Sequence, residues 1–139
     1  MFKIVTTTDE LIKAYMVRAI VFIEEQRVSY AEEVDEYEYS ATHILGEMDG
    51  EPMAAGRIRF LGEWAKLERI AVRTGWRGRN LGHQLVDYML TVARQKGFRK
   101  FKMHAQAHLE KFYAVHGFKR QGERFQEAGI DHYLMIRED

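Results

Sequence analysis

The chain has 139 residues, 46% of them hydrophobic and 30% charged, with 21 Lys plus Arg balanced by 21 Asp plus Glu. That length suits one domain whose core hides about 70% of the unfolded surface, and the balanced charge excludes the broad basic footprint of a nucleic-acid binder. The absence of Cys excludes disulfides, thiolate metal sites and a cysteine nucleophile.

In chain order, "FKIVT" (2–6) reads as a short strand. "MFKIVTTTDE" has no charged segment followed by an apolar one, and no apolar stretch nears the roughly 18 residues of a membrane span. A soluble cytoplasmic protein with no membrane partner is therefore expected. Thr-Thr-Asp then offers N-caps for a helix through "ELIKAYMVRAIVFIEEQ", where Leu11, Ile12, Tyr15, Met16, Ala19 and Ile20 fall at helical spacing. The acidic "YAEEVDEYEYS" (30–40) reads as a solvated loop with room for a short helical piece. "THILGEM" and "PMAAGRIRFL" form a hairpin around Asp49-Gly50. "AKLERIAV" (65–72) is a further strand, Leu67, Arg69 and Ala71 alternating against Glu68, Ile70 and Val72. A helix from about Gly82 to Gln95 carries the stripe Leu81, Leu85, Met89, Val92 and Ala93 and closes at Gly97. "KFKMHAQ" is a strand, "LEKFYAVHG" a short helix, and "GFKRQG" and "HYLMIRE" two last strands. The order β-α-(α)-β-β-β-α-β-α-β-β implies a mixed α/β sheet with helices on its faces, in one domain over 1–139.

The segment "RTGWRGRNLGHQL" (73–85) sets three arginines and three glycines between a strand and a helix. A neutral chain must catch an anion locally, and this arrangement brings unpaired backbone N–H groups to a helix start, where the dipole favours negative charge. Arg77 and Arg79 add charged donors. The spacing fits neither G-x-x-x-x-G-K-[ST] nor G-x-G-x-x-G. It does fit R-x-x-(G/N)-x-G over Arg77-Gly78-Arg79-Asn80-Leu81-Gly82.

With "LERIAV" before it and "FYAVHGF" after it, this loop resembles the GNAT superfamily of acyl-CoA-dependent N-acyltransferases, over roughly residues 65 to 120. "VFIEEQ" and "AGIDH" are similar to a small bacterial branch. The resemblance implies the GNAT fold, a mixed, mostly antiparallel central sheet flanked by helices, with acetyl-CoA as acyl donor and no metal. It implies that Ile70, Ala71 and Val72 meet the pantetheine and acyl group, and that Arg77, Gly78, Arg79, Asn80, Leu81 and Gly82, with His83, hold the pyrophosphate. Gln106 stands where members often carry a cofactor-binding Asn. Asn80 departs from the usual glycine, but Asn tolerates the left-handed conformation best among the other residues. The resemblance also admits a homodimer.

Moving an acyl group from a thioester to an amine needs a neutral amine, a polarised carbonyl and a proton for the leaving thiolate. Without Cys, direct attack in a ternary complex is expected. Glu68, on the strand entering the cradle, is the candidate base; the alternative is a strand carboxylate paired with Arg57, Arg59 or Arg69. Tyr113 is the candidate acid, since the resembling helix often places a tyrosine near the sulfur; the alternative is packing beside Phe112. His104 is a further candidate for touching or deprotonating the acceptor, against a plain hydrogen-bonded interior histidine. His132 is a weaker one. The acceptor is an amine of undefined identity, small molecule or peptide. A non-catalytic acyl-CoA-binding module is the alternative of a different class, and "VFIEEQ" also bears a faint likeness to acyl-homoserine-lactone synthases.

Overall fold

The structure is a computed structural model that describes residues 1–139. Its strands are β1 (Phe2–Ile4), β2 (Thr42–Met48), β3 (Glu51–Leu61), β4 (Trp64–Val72), β5 (Lys100–Gln106), β6 (Lys119–Glu127) and β7 (Ile130–Glu138). They form one sheet in the order β1-β2-β3-β4-β5-β7-β6. Every neighbouring pair is antiparallel except β4 with β5. The helices are α1 (Thr8–Arg18), α2 (Tyr30–Glu33), α3 (Leu81–Gln95) and α4 (Glu110–Ala114).

Local chemistry explains the helix ends. Thr7 and Glu10 form a capping box, each side chain accepting from the other's backbone N–H, at 3.2 and 3.1 Å. The helix expected to run to residue 26 changes its winding at Ala19, and Ala19–Glu25 is π-helical, with Gln26 N–H reaching back to Val21 O. Such wide turns are uncommon and concentrate at functional sites. At the end of α3, Gly97 is left-handed (φ +92°) and Phe98 N–H returns to Ala93 O at 3.1 Å, the Schellman stop signalled by that glycine.

The two faces of the sheet are filled differently. On one, α3 and α4 bury an apolar core that includes Ile58, Leu67, Leu85, Met89, Phe101 and Phe118. Gly56 is needed there, since a Cβ on it would meet Met89 Sδ at 2.6 Å. On the other face, α1 buries a smaller set, Ala14, Val17, Val21, Leu45, Ala55 and Ala71. Leu67 and Ala71 thus lie on opposite faces, contrary to the simple alternation of the sequence. The cause is a bulge: between the pairs Ala55↔Ala71 and Arg57↔Glu68, β3 advances two residues and β4 three, with Arg69 left-handed at φ +53°. One extra residue exchanges the faces of everything beyond it.

Beside the small apolar set, the α1 face continues as a buried ionic layer. Arg57, 0% exposed, donates to both Asp35 oxygens at 2.7 and 2.9 Å and to Glu68 Oε1 at 2.9 Å. Arg18 is equally buried and grips Glu33 and Glu38 at 2.8–3.0 Å. Arg69, from the bulge, donates to Glu33 Oε2 at 2.6 Å. The acidic run 32–38 is therefore not a solvated loop throughout. Glu33, Asp35 and Glu38 turn inward and tie α2 and the segment after it to β3 and β4.

Removing one partner of such a layer strands buried charge. Arg57→Ala is expected to cost about 3–5 kcal/mol in chemical denaturation at neutral pH; stability equal to wild type would refute the clamp. Burial alone would raise the Asp35 and Glu68 carboxyls, but their cationic partners hold both at about 2. Their contribution is complete above the ordinary carboxylate range near 4 and is lost as pH falls toward 2. Acid titration of wild type should therefore show stability declining across that window.

Candidate active site

β4 and β5 pair only at Trp64↔Lys100, Ala65↔Phe101 and Lys66↔Lys102. Beyond Lys66 they part, β4 staying with β3 up to Val72 and β5 with β7 up to Gln106. The edge of β4 from Leu67 onward is left without a strand partner on the β5 side, a ready template for an extended ligand. The gap is a cleft of about 450 Å³, walled by Glu68 and Ile70 from β4, His104 and Gln106 from β5, and Tyr113 and Glu127. Phe22 and Gln26, at the π-helical segment, close one side.

At the far end of β4, a short turn over Thr74–Trp76 leads to two left-handed residues, Gly78 (φ +81°) and Asn80 (φ +66°), and then into α3. Asn80 adopts the conformation the motif demands of a glycine. No side chain caps α3, and the first backbone bond of its ladder is Gln84 N–H to Asn80 O at 3.2 Å. The N–H groups of Leu81, Gly82 and His83 precede it and have no partner within the helix, and the left-handed residues lie just before them. Leu81's side chain is buried in the core, so that residue offers only its backbone.

Arg77 differs from the expectation. Its Nη1 and Nη2 donate to Glu25 at 2.7 and 2.9 Å, its Nε to Val72 O at 2.8 Å, and its backbone N–H to Thr74 O. It braces the loop against β4 and the π-helical segment. Arg79 is exposed. Gly82 passes beneath Phe112, whose ring a Cβ would meet at 3.1 Å, and His83 stacks on the same ring with centroids 4.2 Å apart.

In the cleft, Glu68 differs most from expectation. Arg57 and Arg59 reach Oε1 at 2.7–3.1 Å, and Arg59 and Lys66 reach Oε2 at 3.1 and 3.2 Å. A carboxylate held at about 2 and surrounded by cations keeps its charge and accepts a proton poorly. The pairing alternative, with Arg57 and Arg59 and with Lys66 in place of Arg69, describes the contacts. His104, half-buried at the strand end, donates Nδ1–H to Glu127 Oε1 at 2.9 Å, and that contact lowers the Glu127 carboxyl against the upward push of burial. His132 lies beyond, its Nδ1–H donated to Ile130 O at 2.7 Å and its Nε2 3.9 Å from Glu127. Tyr113 is 5% exposed, and burial alone pushes its phenol well up. Gln106 donates to Gln26 Oε1 at 2.8 Å.

The sequence pattern does not single out Glu127, because "GFKRQG" and "HYLMIRE" end the last hairpin short of its turn. β6 and β7 continue to Glu127↔Ile130 around Ala128 and Gly129, both left-handed at φ +52° and +73°. The signal was the two-residue "AG" turn in "QEAGID", weak because Ala seldom takes that conformation.

Comparison with known proteins agrees with this geometry. An acetyltransferase (GNAT) domain family model matches residues 11–138. The protein YyaT of Bacillus subtilis is 37% identical over 139 residues, covering 98% of this chain and 94% of its own. The crystal structure of an acyl-CoA N-acyltransferase from Pseudomonas aeruginosa is 28% identical, with a TM-score of 0.90 over 99% of this chain and 98% of that one. A GNAT family acetyltransferase from Elizabethkingia anophelis, solved with acetyl-CoA bound, shares the fold at 17% identity, TM-score 0.78, over 99% and 97% of the two chains. The chain belongs to the GNAT acetyltransferase family.

Proposed function

We propose that this protein transfers an acetyl group from acetyl-CoA to a primary amine of a small-molecule or peptide acceptor, by direct attack in a ternary complex. One continuity carries the reading. The free edge of β4 runs from an uncapped, left-handed cradle at one end to a cleft holding a paired imidazole and a buried phenol at the other. Acetyl-CoA is an extended thioester with a diphosphate partway along it, and such a track suits that shape. The nest at Gly78 and Asn80 and the N–H groups of Leu81, Gly82 and His83 bind the diphosphate. Ile70 and Ala71 pair with the pantetheine, and Gln106, oriented by Gln26, contacts its end. Arg77 acts as a brace, and the exposed Arg79 adds a positive charge.

Transfer forms a C–N bond and breaks a C–S bond, so the amine sheds a proton and the departing sulfur gains one. His104 takes the amine proton on Nε2, because Glu127 fixes its other nitrogen as the donor and stabilises the imidazolium that forms. Tyr113, kept protonated by burial, offers its O–H to the sulfur. Glu68 neutralises the cationic wall and is not the base in this reading.

Acceptor-dependent thiol release from acetyl-CoA across an amine panel tests the reaction. Tight binding without release over a broad panel would mean a non-catalytic acyl-CoA-binding module. His104→Gln is expected to lower kcat by about 10²–10⁴ with acetyl-CoA affinity by calorimetry little changed. Tyr113→Phe should likewise lower turnover and spare cofactor binding. Full activity in either variant removes that residue from the mechanism. Since burial raises the Tyr113 phenol above its ordinary value of about 10, wild-type kcat should show no alkaline loss from this group up to about pH 9.

A further inference from the structure

A second set of titratable groups lies beside the cradle and takes no part in the transfer chemistry. His116, buried in the turn after α4, has Nδ1 3.1 Å from Asp87 Oδ1 on α3 and Nε2 2.8 Å from His83 Nδ1. A carboxylate only accepts, so His116 carries its proton on Nδ1. Burial lowers the His116 imidazole below its ordinary value, outweighing the opposing pull of Asp87. A neutral His116 then presents a lone pair on Nε2, and His83 must be the donor between them. His83 Nε2 is left as the one nitrogen of the relay without a fixed partner. The His83 ring is held against Phe112 at an interplanar angle of 20°, and its backbone N–H is the third of α3, within the cradle.

We propose that Asp87 and His116 are positioning residues that let His83 take up a proton when the diphosphate of the cofactor binds, so that binding is coupled to proton uptake and tightens as pH falls. This rests on the cradle reading given above. The proton comes from solvent to His83 Nε2, and no covalent bond other than that N–H is made. Imidazolium charge on His83 is shared through His116 toward Asp87, the logic by which a carboxylate supports a histidine cation. The face of Phe112 also favours a cation over it.

The surrounding charges leave that role to Asp87. From β7, Arg137 donates Nη1 to the His116 carbonyl at 2.7 Å and Nε to Asp139 at 2.9 Å. In the cradle loop, Arg77 is bound to Glu25, and Arg79 is exposed. From α4 the relay meets the Phe112 ring. Asp87 is the carboxylate in direct contact with the histidine pair. Its side chain is 70% exposed, so it can be replaced without opening the core.

The probe is dephospho-CoA, which keeps the diphosphate but lacks the 3′ monoester phosphate, whose second ionisation near pH 6 adds a proton of its own. Calorimetry in two buffers of different ionisation enthalpy counts the protons exchanged on binding, and titrations between about pH 6 and 8 give Kd. Wild type is expected to take up a substantial fraction of a proton, with Kd weakening roughly tenfold from the lower to the higher pH. Asp87→Asn should lose most of the uptake and flatten the slope, and Asp87→Glu should restore both. S-Acetylpantetheine, which has no diphosphate, should bind with no uptake. A merely structural Asp87 would shift affinity equally at every pH. Equal uptake in wild type and Asp87→Asn, or no uptake by a wild type that binds dephospho-CoA, overturns the relay and leaves the cradle standing. No binding of dephospho-CoA to wild type overturns both.

Discussion

The parting of two parallel strands governs this molecule. β4 and β5 share three residue pairs and then separate, and that separation supplies a free strand edge and a cleft in one step. A sheet normally pays in unpaired backbone groups for such an opening, since each N–H and C=O along it forgoes a protein partner. Here the opening lies between central strands, so the cost is incurred where an extended ligand can meet it. The bulge at Arg69 works in the same place, exchanging the faces of β4 as it enters the cradle.

Holding the strands apart requires something stiff on both faces. On the α3 side that is the apolar core, which carries α4 and Tyr113 to the cleft. On the α1 side it is the ionic layer around Arg18 and Arg57, which fastens the acidic segment over β3 and β4. Buried ion pairs are weak evidence for stability compared with apolar packing. Their value here is geometric: a guanidinium fixes the planes and distances of several carboxylates together. The same layer occupies the Glu68 carboxylate, which explains why proton acceptance falls to the imidazole on the opposite wall in the mechanism proposed above.

The fold was largely legible in the sequence because its signals are local. Asp49-Gly50 marked the β2–β3 turn, the stripe from Leu81 to Ala93 marked α3, and Gly97 marked its end. The cradle was legible for the same reason, as strand, turn and helix start are contiguous and Asn80 tolerates the required conformation. What escaped depends on residues far apart in the chain. Nothing local shows that Arg57 meets Asp35 and Glu68, that Arg77 meets Glu25 fifty-two positions away, or that His104 meets Glu127. The apolar stripe through Ile12 and Met16 points to the wrong face of α1: both are exposed, Ala14, Val17 and Val21 are buried instead, and no local signal marks the π-helical winding of Ala19–Glu25. The bulge was hidden because a single inserted residue leaves the alternation intact on either side of it.

In the function proposed above, a backbone cradle at the start of α3, shaped by left-handed residues, holds the cofactor. Calorimetric titration of acetyl-CoA into wild type, Asn80→Gly and Asn80→Val tests it most directly. Asn80 is exposed, so neither change disturbs the core. Glycine adopts φ +66° freely, whereas a β-branched residue is strained there. Binding on the order of micromolar is expected for wild type and Asn80→Gly, with a loss of about tenfold or more for Asn80→Val. Equal affinity in all three proteins, or no binding by wild type, would contradict it.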